Sequence, residues 1–142
     1  MTARIIDGKA VAKKLRAEYK ARIAELVSTH GLTPGLAVIL VGQNPASKLY
    51  VSNKVRACED VGIRSERIEM AADISEDALL GEIDRLNADP TVHGILVQLP
   101  LPAQINSAKV LESISPAKDV DGFHPVNAGL LAIGEMSRAL VP

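Results

Sequence analysis

Apolar residues recur along this chain with two alternating periods. Between Lys9 and His30, the residues Val11, Leu15, Tyr19, Ile23, Leu26 and Val27 recur at helical spacing. That is one face of an amphipathic helix, and Gly31 is placed to end it. After Pro34 the run Leu36-Ala37-Val38-Ile39-Leu40-Val41 is short and apolar at every position, which predicts a strand buried on both faces and closed by Gly42. Asn44-Pro45 supplies a cap followed by proline at the first helical position, and the helix should run to about Val61 with Gly62 as its stop. A second strand is expected over Ile63 to Met70, where only Ile68 and Met70 alternate well. Ser75 can cap a third helix that carries Leu79, Leu80, Ile83 and Leu86 on one side, with Asp89-Pro90 ending it. Val92 to Leu99 predicts another buried strand, broken by Pro100 and Pro102. A helix around Ser107 to Ile114, an irregular segment from Ser115 to Pro125 and a short apolar helix from about Val126 complete the pattern.

Helices alternating with apolar strands predict an α/β fold: a three-layer open sheet, mostly parallel, with helices on both faces. With 142 residues, 47% of them hydrophobic, the chain is long enough for one real core. The balance of 16 basic and 17 acidic residues gives no surface suited to nucleic acid. Cys58 is the single cysteine, which excludes an intrachain disulfide and fits a reducing compartment. The segment Met1 to Gly8 lacks the apolar stretch of a signal peptide, and no apolar run is long enough to span a bilayer. These features predict a soluble, cytoplasmic protein with no nucleic-acid or membrane partner. Ser137 to Pro142 form no recognisable terminating element.

Candidate chemistry clusters at one edge of the predicted sheet. In open α/β sheets ligands bind outside the carboxyl ends of the strands. The first strand leads into the helix bearing Ser47, Tyr50 and Lys54, which at offsets of three and four share one stripe. Tyr19, Tyr50 and Phe123 are the only aromatic residues, so a ring one turn from a lysine stands out. A ring offers a flat surface to a planar ligand, and a lysine can move protons. The third strand ends in Gln98, and beyond the next helix comes Lys118-Asp119-Val120-Asp121-Gly122-Phe123-His124-Pro125. Taken singly, each has a plainer reading: Tyr50 and Lys54 as a half-buried ring and a solvated amine, Gln98 as a strand-end partner for backbone, Asp121-Gly122 as a turn. Cys58 reads as a small buried hydrophobe rather than a nucleophile. There is no G-x-G, no Walker-type phosphate loop and no G-x-S-x-G elbow, and His30, His93 and His124 are too dispersed for a metal site.

Three stretches together resemble the bifunctional methylenetetrahydrofolate dehydrogenase/methenyltetrahydrofolate cyclohydrolase family. They are Val41-Gly42 with Pro45-Ala46-Ser47 and Tyr50-Val51-Ser52-Asn53-Lys54, then Gly94-Ile95-Leu96-Val97-Gln98-Leu99-Pro100-Leu101-Pro102, then Pro116-Ala117-Lys118-Asp119-Val120-Asp121-Gly122-Phe123-His124-Pro125. Ile6-Asp7-Gly8-Lys9 fits as well. The resemblance implies that Lys54 is the central catalytic residue, with Gln98 supporting it and Tyr50 stacking on the folate. It further implies that Asp121 hydrogen-bonds the pterin, while Ser47 and the Leu99-Pro100 backbone line the pocket. A folate-binding catalytic domain over residues 1–136 is expected, with 137–142 beginning a linker toward a Rossmann-type, NADP-binding domain that this chain does not contain. The implied setting is one-carbon metabolism serving purine biosynthesis, with NADP held by that other domain, no metal, tetrahydrofolate derivatives as substrates and a homodimer when full length. Two alternatives stand beside it: a non-catalytic folate-binding or interaction module, and the substrate domain of another two-domain dehydrogenase.

Overall fold

In the computed structural model, which describes residues 5–140, the Asp7 carboxylate accepts from the Lys9 and Ala10 amides and starts helix α1, Gly8–His30. The first four residues of the N-terminal segment and the last two of the expected linker lie outside the described residues. Strand β1, Gly35–Val41, follows, and Asn44 then caps α2, Pro45–Val61, by accepting from the Ala46 and Ser47 amides. Strand β2 is Arg64–Met70, α3 is Glu76–Ala88, β3 is Gly94–Val97, α4 is Ser107–Ser113 and α5 is Pro125–Ala132.

The three strands form one parallel sheet in the order β2-β1-β3. The two-residue period of β1 divides the core. Ala37, Ile39 and Val41 face Leu79, Ile83 and Leu86 of α3 and Val110 of α4, while Val38 and Leu40 face Val51 of α2. A strand that feeds two cores must be apolar at every position, which is why Leu36–Val41 shows no polar alternation. Helices therefore cover both faces, giving the expected three-layer α/β sheet.

Element ends depart from the sequence expectations for local reasons. Strand β2 starts at Arg64 rather than Ile63, because the Ile63 amide is spent on the Cys58 carbonyl, closing the end of α2. Strand β3 spans only Gly94–Val97, not Val92–Leu99. The Val92 amide turns back to the Asp89 carbonyl, and the chain leaves the sheet through a cis Leu99–Pro100 peptide. Helix α5 begins at Pro125, with His124 Nδ1 accepting from the Val126 amide.

The segment expected to be irregular adds a further strand-like edge. The Ile95 amide donates to the Lys118 carbonyl at 2.7 Å, and Ile95 pairs with Asp119 in parallel. The pairing is a single bridge: Val120 and Asp121 bend away from the ladder directly after it.

Candidate active site

Lys54 lies on the wrong side of its helix for a solvated lysine. The inward stripe of α2 holds Ser47, Val51, Cys58 and Val61, all buried. Lys54 is seven residues after Ser47 and four before Cys58, so 3.6-residue periodicity puts it in the middle of that stripe. It is half-buried there, while Tyr50, at the stripe's margin, is 64% exposed and presents its ring to solvent. Ser47 is buried in the first turn, where its amide donates to Asn44 Oδ1 at 3.2 Å.

Asp121 lies near enough to Lys54 to feel its charge. Burial pushes its carboxyl above the usual aspartate range, the nearby positive charge of Lys54 pulls it back, and the negative charge of Asp119 adds to the rise. Lys54 and Asp121 are thus electrostatic neighbours although they are 67 residues apart in sequence. Among the described residues they form no direct ion pair. Gln98 follows the end of β3, where its Nε2 donates to the Leu99 carbonyl at 2.8 Å and its Oε1 is buried without a hydrogen-bond partner among the described residues. Buried amide oxygens are rarely left so, because an unmet acceptor costs about 1–3 kcal/mol. Leu99 is half-buried and Pro100 exposed.

The loop carrying Asp121 is held by residues that sequence reasoning passed over. Lys118 Nζ donates to the carbonyls of Leu86, Asn87 and Asp89, at 2.9, 2.8 and 2.8 Å, completing the C-terminal end of α3. Asp119 and Asn127 are each 2% exposed and are bonded to one another. The signal was present in part: Asn127 is the one polar residue in the run Val126-Asn127-Ala128-Gly129-Leu130-Leu131, and a polar residue in such a stripe must find a buried partner. Gly122, at φ 69°, supplies the left-handed turn immediately after Asp121. His124 is a helix cap, and Cys58 is buried with its thiol pushed upward, first by burial and then by Glu59. A buried thiol of raised pKa is a poor nucleophile.

Fold and site together define a class: a parallel α/β domain with an unpartnered Gln98 Oε1 just past the carboxyl end of β3 and a neighbouring Lys54 and Asp121, of the kind that takes small molecules at the carboxyl ends of its strands. Comparison with known proteins narrows the class to a family. The family model described as "Tetrahydrofolate dehydrogenase/cyclohydrolase, catalytic domain" matches residues 6–121, and the chain belongs to that family. It is 60% identical over 133 residues to the bifunctional protein FolD of Geotalea daltonii, covering 94% of this chain and 47% of that one. The same-named protein of Halalkalibacterium halodurans is 59% identical over 135 residues, with coverages of 95% and 48%. The chain spans about half the length of the curated relatives it matches. Among solved structures, the bifunctional methylenetetrahydrofolate dehydrogenase/cyclohydrolase FolD of Campylobacter jejuni superposes with a TM-score of 0.92 at 50% identity, over 95% of this chain and 48% of that one. The Trypanosoma brucei enzyme, solved with NADP cofactor and an inhibitor, superposes with a TM-score of 0.90 at 40% identity, over 95% and 46% of the two chains.

The N-terminal turns of α2 and α3 do not fit a dinucleotide's diphosphate. The amides at the start of α2 that could cradle a diphosphate are bonded to Asn44, and Pro45 has no N–H to offer. At α3 the Ala78 amide is likewise taken by Ser75.

Proposed function

We propose that this chain is the folate-binding catalytic domain, residues 1–136, of a cytoplasmic methylenetetrahydrofolate dehydrogenase and methenyltetrahydrofolate cyclohydrolase. On this reading the complete enzyme oxidises 5,10-methylenetetrahydrofolate with NADP and hydrolyses the methenyl product to 10-formyltetrahydrofolate. Residues 137–142 then lead toward the part that binds NADP, which supplies the cofactor for hydride transfer. The observation that carries the reading is a half-buried lysine on the inward stripe of α2 whose charge acts on a partly desolvated aspartate.

The hydrolytic half follows from these groups. The methenyl bridge is a cationic amidinium, so its carbon is open to water. Addition of water forms a C–O bond and releases a proton; breaking the C–N5 bond then requires a proton at N5 and leaves the formyl group on N10. Lys54 is the group proposed to move that proton, with Tyr50 as the platform under the pterin and the free Oε1 of Gln98 as an acceptor for the Lys54 ammonium or the substrate. Asp121 receives the pterin's amino and ring N–H groups in a two-point, charge-assisted contact. Ser47 and the Leu99-Pro100 backbone border the pocket.

Hydrolysis of 5,10-methenyltetrahydrofolate tests this directly. The chain should exceed the buffer rate, and Lys54→Met should lose that excess by at least about a hundredfold while keeping the parent's circular dichroism spectrum. An equally active Lys54→Met protein would overturn the catalytic assignment. A chain that binds folate yet hydrolyses no faster than buffer would be the binding module of the second reading.

A further inference from the structure

The motif Lys118-Asp119-Val120-Asp121-Gly122 contains three charged side chains, and the folate reading employs only Asp121. Asp119 is the most deeply buried of them, yet it lies in the strand-like edge beside β3 rather than in the core. Its Oδ1 accepts from the Gly122 amide at 3.1 Å, and its Oδ2 accepts from the His124 amide at 2.9 Å and from Asn127 Nδ2 at 3.1 Å. Asn127 is in turn fixed at both ends of its amide: Nδ2 also donates to the Pro116 carbonyl at 2.9 Å, and Oδ1 accepts from the Leu140 amide at 3.1 Å. One carboxylate thus gathers the backbone on the far side of Asp121 and the first turn of α5, while Lys118 pins the near side to the end of α3. A buried carboxylate with three donors is a rigid node, because releasing any donor would leave buried charge short of a partner.

We propose that Asp119 is a positioning residue for the folate site, its buried carboxylate holding the Asp119–His124 loop in the one conformation that presents Asp121 toward Lys54. The inference rests on the folate reading of Asp121. A carboxylate that must meet two N–H groups of a planar ring at once tolerates little angular drift, so the node sets affinity rather than merely stability. Asp119 makes no contact with the ligand itself. It acts through loop geometry and through its charge, and the charged groups facing Asp121 are Lys54 from α2 and Asp119 from its own segment.

The test is Asp119→Asn, titrated calorimetrically with 5-formyltetrahydrofolate, a stable reduced folate, across a pH series, with Asp121→Ala as reference. Asparagine keeps the shape but turns an N–H₂ toward donors and removes the negative charge. Affinity should fall about tenfold in protein that remains folded, the loss of roughly one charge-assisted hydrogen bond. The pH midpoint of binding should move lower, because Asp121 loses a like-charged neighbour. A purely structural residue would lower the melting temperature without moving that midpoint; parent-like affinity and midpoint overturn the proposal. Should Asp119→Asn fail to fold, Asn127→Ala retains the charge and two of the three donors: lowered affinity at an unchanged midpoint supports the proposal, and parent-like affinity overturns it. If Asp121→Ala binds as tightly as the parent, the folate reading of Asp121 falls, and this inference with it.

Discussion

Asp121 holds a charge in a place that disfavours it. Burial raises its carboxyl above the ordinary value and Asp119 adds to the rise, with Lys54 only partly opposing. The folded chain therefore binds this proton more tightly than the unfolded chain does. Its contribution to stability is full below the ordinary aspartate pKa of about 3.9 and is lost as the pH rises through the elevated folded value. Asp121→Asn removes that loss. Thermal melts should show the variant gaining on the parent at pH 7 and the gain shrinking toward pH 3; a gain independent of pH, or larger in acid, would contradict the electrostatic account. A side chain that costs stability at neutral pH is the kind that function retains. The electrostatic neighbour of Asp121, Lys54, is half-buried on the inward stripe of α2.

Among elements, the segment from Lys118 to Asp121 was the least legible. Its polar sequence hides a strand-like edge, because the burial of Asp119 is made tolerable by amides that come three, five and eight residues later. No periodicity rule sees such partners. The same edge depends on Gly94, where an added Cβ would come within 2.5 Å of Val120 Cγ1 and 3.3 Å of Leu36 Cδ1. Val120 is β-branched and stiff, so Gly94→Ala must push the segment away from β3. We expect a loss of about 1–3 kcal/mol in urea denaturation together with weakened folate binding. Unchanged stability would show that the edge is looser than its hydrogen bonds imply. Other elements were read well because their caps are local: Asn44 before Pro45, Ser75 before α3, and Gly31 and Gly62 after α1 and α2 all occupy the predicted positions. The third strand was overestimated because Val92 and Leu99 continue an apolar run without continuing the ladder.

For the whole molecule, the sequence disclosed the layered α/β architecture, since that depends on patterning that repeats along the chain. It disclosed less about which apolar faces are covered. In α1 only Ile23 is buried, while Val11, Leu15, Tyr19, Leu26 and Val27 remain exposed, as do Val126, Leu131, Ile133 and Met136 around α5. Amphipathic spacing states that a face is suited to burial; it does not name what meets it. The central claim concerns a different surface, the folate site proposed for Tyr50, Lys54, Gln98 and Asp121. Calorimetric titration of the chain with 5-formyltetrahydrofolate addresses it most directly. The account predicts saturable binding of one reduced folate per chain, weakened at least about tenfold by Asp121→Ala. No saturable binding by the parent chain, or equal binding by Asp121→Ala, would contradict it.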